Sequence, residues 1–174
     1  MNDLVYLQMF RDAATRPMVL HYFLERKYGI ETLIKYAAST EDYPLPDYSS
    51  WVLTHLVKEF PAHLQEYQPM LIDAFMESKN QTVLRNLSAG FIHQPLVEHR
   101  QGEFYDALIQ HLLQPENKVA LHVNCIYKLI QFSKQFPELT NEIWSCIEIL
   151  TENNKQASLL SVKRTFQKKC MKSK

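Results

Sequence analysis

Glycine is the scarcest structural signal in this chain of 174 residues, occurring only at Gly29, Gly90 and Gly102. Tight β-turns draw on glycine because they need backbone with positive φ. Three isolated glycines therefore argue against a fold built from hairpins. The apolar residues point to helices. Leu4, Leu7, Phe10 and Ala14 recur at spacings of three and four. Val19, Leu20, Phe23 and Leu24 continue in that manner, as do Trp51, Leu53, Leu56 and Val57. Leu108, Ile109, Leu112 and Leu113 form a further stripe, and Ile126, Leu129, Ile130 and Phe132 another. Such spacing lines one face of a helix. Pro17, Pro44, Pro46, Pro61, Pro95, Pro115 and Pro137 fall between the stripes, where a helix start tolerates the missing N–H. Pro69 either kinks a helix or starts one. The pattern predicts helices over 3–15, 17–28, 30–39, 48–60, 62–78, 80–93, 103–114, 116–135, 137–152 and 155–170. Asp47 is expected to cap the fourth of these, at the end of an acidic, proline-bearing loop from Thr40 to Asp47.

The chain also repeats itself. Trp51-Val-Leu-Thr-His-Leu-Val-Lys-Glu-Phe60-Pro61 aligns with Tyr127-Lys-Leu-Ile-Gln-Phe-Ser-Lys-Gln-Phe136-Pro137. Leu53 meets Leu129, Leu56 meets Phe132, and Phe60-Pro61 meets Phe136-Pro137. After a one-residue gap, Leu64 meets Leu139 and Ile72 meets Ile147. The offset of about 76 residues holds two units of about 38, slightly short of HEAT or armadillo length. A helix pair cannot bury its apolar face alone, so successive pairs stack and share a continuous core. The expected fold is all-α, a HEAT/armadillo-like α-α superhelix of stacked antiparallel helix pairs. Its length suits one domain over 1–174.

Three stretches carry a family likeness: Ser50-Trp-Val-Leu-Thr-His-Leu-Val-Lys-Glu, Lys118-Val-Ala-Leu-His-Val, and Ala157-Ser-Leu-Leu-Ser-Val-Lys-Arg-Thr-Phe-Gln-Lys-Lys. Over roughly residues 10–170 the chain resembles a group of short bacterial HEAT-like repeat proteins, whose members often carry the label adenylosuccinate lyase. The lyases of that name are longer chains with a Ser-Ser-x-Met-Pro-x-Lys-x-Asn signature on a flexible loop. No such run occurs in this chain. The resemblance thus implies a fold and no activity. A second comparison is with the helical-repeat glycosylases that remove alkylated purines from DNA through a basic, concave groove.

Charge bears on that comparison. There are 19 basic and 19 acidic residues, for a formal net charge of zero, whereas nucleic-acid and membrane-surface binders usually carry a basic excess. Nucleic-acid association is therefore the less favoured alternative. It requires Arg85, Lys118, Lys128, Lys163, Arg164 and Lys168 to converge on one face. No apolar run approaches the roughly 20 residues of a membrane span. The N-terminus has no basic stretch before an apolar one, and Cys125, Cys146 and Cys170 do not form a secreted disulfide framework. A cytoplasmic location is expected.

Isolated glycines cannot form a phosphate loop. No Gly-x-Ser-x-Gly elbow and no His-Glu-x-x-His pair occurs. His93, Glu98, His99 and Glu103 are of types zinc accepts, but their spacing across a loop fits solvated residues better. His55, His111 and His122 lie beside apolar stripes and read as packed or half-exposed. Cys125 and Cys146 lack the cations that activate a thiolate and read as buried thiols. The sequence thus assigns no catalytic residue, no metal ligand and no cofactor. The candidate interaction residues are Tyr43, Tyr48, Lys163, Arg164, Lys168 and Lys172. The tyrosines fall at loop or helix-start positions, and tyrosine is enriched at binding hot spots. The cations lie in a C-terminal segment without an acid after Glu152, and Arg164, Lys168 and Lys172 share a helix face if the helix is regular. The alternative for the cations is a solvated helix end favoured by the macrodipole. The expected activity is non-enzymatic binding of a protein partner or of a second copy through a curved helical surface.

Overall fold

The computed structural model describes residues 2–40 and 43–171. Among them are eleven α-helices and no strand. The chain forms two compact units, residues 1–94 and 95–174.

The first unit holds α1 (Asp3–Met9), α2 (Arg16–Glu25), α3 (Gly29–Ala37), α4 (Leu45–Glu59), α5 (Pro61–Leu64), α6 (Gln68–Glu77) and α7 (Gln81–Phe91). The central helix is α4, which packs against α1, α2, α3 and α7. Its stripe of Val52, Leu53 and Leu56 is fully buried, as are Leu7, Phe10, Phe23, Leu33, Phe75 and Val83. A polar ladder joins α4 to α7. Asn86 Nδ2 donates to Ser50 Oγ at 3.0 Å and to the Asp47 carbonyl at 3.4 Å. Thr54 Oγ1 donates to the Asn86 carbonyl at 2.8 Å. Asn80, which caps α7 by accepting from the Thr82 and Val83 amides, donates to the Asp47 carboxylate at 3.3 Å. At the other side of the unit, Asp3 is buried and accepts from Tyr22 at 2.9 Å, from Arg26 and from Tyr36 at 3.1 Å. Burial raises its pKa, but hydrogen bonds from Tyr22, Arg26 and Tyr36 and the charge of Arg26 outweigh it, leaving the carboxyl below its ordinary range.

The second unit holds α8 (Gln101–Leu113), α9 (Val119–Gln135), a 3₁₀ turn at Pro137–Leu139, α10 (Thr140–Asn153) and α11 (Ala157–Phe166), which runs into a π turn at Gln167–Met171. Here α9 is central and packs against α8, α10 and α11. Leu108, Leu112, Leu121, Cys125, Ile126, Leu129, Ile143, Ile147, Leu159 and Phe166 are fully buried.

The internal repeat has a structural counterpart. Each Phe-Pro pair ends a long helix and starts a short turn before the next one. Phe60 closes α4 with φ −130° and donates its N–H to the Leu56 carbonyl at 2.8 Å. Phe136 closes α9 with φ −128° and donates to the Phe132 carbonyl at 2.7 Å. In each case proline occupies the first position of the following turn, where it has no hydrogen bond to lose.

Several boundaries differ from the sequence expectation. The fourth helix starts at Leu45, because Pro46 fits its first turn. Pro44 stands at the N-cap, so Asp47 is an interior residue of the first turn rather than the cap. The helix expected over 62–78 is two pieces, since Pro69 lies in the first turn of α6 and the chain turns at residues 65–67. The first helix ends at Met9, and residues 10–15 form turns in which Thr15 Oγ1 donates to the Asp12 carbonyl at 3.0 Å. Glu41, Asp42 and Lys172 lie outside the described residues.

Candidate functional site: an aromatic groove on α4 and α7

Tyr48, Trp51 and His55 stand at spacings of three and four on α4, and therefore share one face. Thr82, Arg85 and Asn86 do the same on α7. The ladder from Asp47 and Ser50 to Asn80 and Asn86 holds these two helices side by side. Between them lies a groove of about 300 Å³, lined by Tyr43, Asp47, Tyr48, Trp51, Thr82, Arg85 and Asn86.

Its aromatic wall is fixed from behind. Phe10 meets Trp51 edge-on, with ring centres 4.9 Å apart. The Arg16 guanidinium lies 5.0 Å from the Trp51 ring centre, while its Nε donates to the Phe10 carbonyl at 3.1 Å. His55 is half-buried against both Phe10 and Trp51. Tyr43 leaves 68% of its surface exposed, yet it is oriented: its hydroxyl pairs with that of Tyr48 at 2.8 Å, and the rings lie 5.6 Å apart. That hydrogen bond, with partial desolvation, raises the Tyr43 pKa above its ordinary value, so the phenol stays a neutral donor and acceptor. On the opposite wall the Arg85 guanidinium donates to Asn86 Oδ1 at 3.2 Å. The groove thus offers aromatic surface, a guanidinium and the Asp47 carboxylate.

The structure brings Tyr43 and Tyr48 together. The basic candidates Lys163, Arg164 and Lys168 belong to the second unit. Lys163 is engaged: its Nζ donates to Thr151 Oγ1 at 3.1 Å, lies 3.8 Å from Glu148 and sits 5.0 Å from the Trp144 ring centre. Arg164 and Lys168 are exposed. Lys168 stands in the π turn that follows α11, one turn beyond Arg164.

Lys128 leaves the surface set altogether. It is 1% exposed, with Nζ donating to the Pro95 carbonyl at 3.1 Å and to Gln131 Oε1 at 2.9 Å. Burial lowers its pKa to about 7. Cys125 and Cys146 are buried and unpaired. Burial pushes both thiols up, with the Glu142 charge adding to the effect at Cys146, so neither is poised as a thiolate. His122 is fully buried, with Nε2 3.0 Å from the Gln114 carbonyl. Burial lowers its pKa and that of His111. Among the described residues no group of three or more His, Cys, Asp or Glu could hold a metal ion, and no helix is long and apolar enough to cross a membrane.

The sequence places Trp51 in an apolar stripe and at the head of the internal repeat, not among the candidate interaction residues. Its position three residues after Tyr48, with Arg85 on a different helix, becomes a site only once α4 and α7 are side by side. An all-helical chain with a recurring helix–Phe-Pro–helix element is a helical-repeat protein. A model of the HEAT repeat domain matches residues 18–170, and the chain belongs to that family. Comparison with curated proteins and with solved structures gives no match. HEAT repeats typically serve as protein-interaction scaffolds, because stacked helix pairs present extended surfaces.

Proposed function

We propose that this chain is a non-enzymatic scaffold, working in the cytoplasm, that holds a protein partner or a second copy of itself through the groove of α4 and α7. In this reading residues 1–174 act as one module. The observation that carries it is Tyr43, a large aromatic residue left 68% exposed yet held in place by Tyr48. Oriented tyrosine, tryptophan and arginine around a groove are the residue types that dominate binding energy at protein interfaces. Their orientation also lowers the ordering cost of association. The unpaired state of all three cysteines suits a reducing compartment.

The test is affinity capture of the tagged full chain from its native extract, with and without nuclease, beside Tyr43→Ala and Arg85→Glu. A nuclease-resistant protein retained by the parent chain and lost by both variants supports the reading. Partners that vanish with nuclease would instead favour nucleic-acid association. A nuclease-resistant partner held equally by the variants would move the binding surface away from this groove.

A further inference from the structure

The Phe-Pro element occurs in both units, but its surroundings differ. In the first unit Phe60 is met edge-on by His21, a side chain carried in from α2, with ring centres 5.8 Å apart. In the second unit the matching Phe136 lines an open pocket of about 310 Å³. Its apolar walls are Tyr105 of α8, Phe132 and Phe136 at the end of α9, and Leu139 of the 3₁₀ turn. The rings of Tyr105 and Phe132 lie 5.4 Å apart, and those of Phe132 and Phe136 6.3 Å apart. Burial and the nearby Glu142 charge hold the Tyr105 phenol neutral far above its ordinary range, so this wall stays uncharged.

Asp106 and Glu138, both exposed, add two carboxylates to the rim. Neither has a hydrogen bond or cation partner among the described residues. The mouth is kept clear by Gly102, where an added Cβ would meet nothing within 4 Å. An aromatic well with a negative rim suits a cation on an apolar stem: the stem packs on the rings, and the charge faces both the π-surfaces and the carboxylates.

We propose that this pocket is a second recognition site, which takes one lysine or arginine side chain from a helical segment of a protein partner, as α2 supplies His21 to Phe60. The site is independent of the groove on α4 and α7 and stands or falls separately.

The test uses the ¹⁵N-labelled full chain, with the Gly102 amide as reporter. The probes are N-acetyl-lysine methylamide, its neutral counterpart N-acetyl-norleucine methylamide, and N-acetyl-glutamate methylamide. The lysine probe is expected to shift Gly102 saturably. The norleucine probe should bind about fivefold more weakly, the value of one partly desolvated cation contact, and the glutamate probe should leave Gly102 unmoved. Asp106→Asn with Glu138→Gln should bring the lysine probe down to the norleucine level. Gly102→Leu should block the pocket in a chain that remains folded, because the added side chain starts in open space.

Three results would overturn the proposal. The lysine probe could leave Gly102 unmoved, or norleucine could bind as tightly as lysine. Glutamate could bind best, which would show that the N-terminus of α8 governs the mouth. Probe-free shifts of Gly102 that grow with protein concentration, together with a sedimenting dimer, would also overturn it, assigning the pocket to a second copy of the chain.

Discussion

Burying Lys128 ties the stability of the second unit to pH in a direction opposite to that of most buried acids. The ordinary lysine pKa is 10.5, and in the folded chain burial brings it to about 7. Between those values the unfolded chain holds a proton that the folded chain does not, so stability rises with pH. Below about pH 7 both states are protonated and the contribution stops changing. Across the whole interval the effect approaches 5 kcal/mol, at about 1.4 kcal/mol per pH unit. From about pH 7 to about pH 9 it amounts to about 2 kcal/mol. Lys128→Met keeps a long apolar side chain and removes the titration. It also removes hydrogen bonds to the Pro95 carbonyl and Gln131, an expected cost of about 1–3 kcal/mol. The decisive quantity is therefore the change in the difference between parent and variant. It should move by about 2 kcal/mol in favour of the parent as pH rises from about 7 to 9. Urea unfolding followed by Trp144 fluorescence, in a Trp51→Phe background, reads the second unit. Raised thiol pKa values at Cys125 and Cys146 act in the opposite sense over part of this window, but they are common to both chains and cancel in the difference. Parallel stability curves for the two chains would refute the reasoning, since they would place the ammonium in water with an ordinary pKa.

Asp3 should act in the same direction, but in an acidic window. Its folded pKa lies below the ordinary carboxylate value, so its stabilisation is complete above about pH 4 and is lost as pH falls through the folded pKa. Asp3→Asn should cost about 2 kcal/mol at neutral pH, and that cost should shrink as pH falls below the ordinary carboxylate range, as measured by paired thermal melts. Gly29→Ala should destabilise by about 3 kcal/mol in denaturant titration, because a Cβ there would stand 2.1 Å from the Phe23 carbonyl oxygen. Gly102→Ala, which meets open space, should instead stabilise by up to about 1 kcal/mol. Asn86→Leu should cost about 2 kcal/mol by the same assay, since it breaks the bonds to Ser50 and Asp47 that hold α4 beside α7.

The all-helical stack was legible because it rests on apolar spacing, which is local. Leu53 and Leu56, or Leu129 and Phe132, announce a buried face without reference to any other segment. The Phe-Pro pairs were legible for a related reason, since proline after a stripe ends a helix in any surroundings. Helix starts were less legible. Asp47 carries the chemistry of an N-cap, yet Pro46 lets the helix begin earlier, and the carboxylate is used across the fold by Asn80. Nothing within five residues of Asp47 specifies Asn80.

The same distinction governs the candidate sites. Tyr43 and Tyr48 stand out by residue type and position, and they do meet. Trp51 and Arg85 acquire meaning only through the pairing of α4 with α7, whose residues lie some thirty positions apart in sequence. Lys128 is the sharpest case. Lysine is ordinarily a surface residue, and in an electrically neutral chain it was natural to count it with the cations of a binding face. Its position between Ile126, Leu129 and Ile130, all buried, placed it close to the core stripe, but sequence periodicity cannot weigh a carbonyl supplied by Pro95. A buried amine is favoured only where backbone and amide oxygens receive its protons. Pro95, lacking an N–H and standing between helices, offers such a carbonyl outside any helical ladder. The loop before α8 is therefore tied to α9 by a group whose charge depends on pH, and the contribution of this contact to the second unit can be measured without reference to any partner.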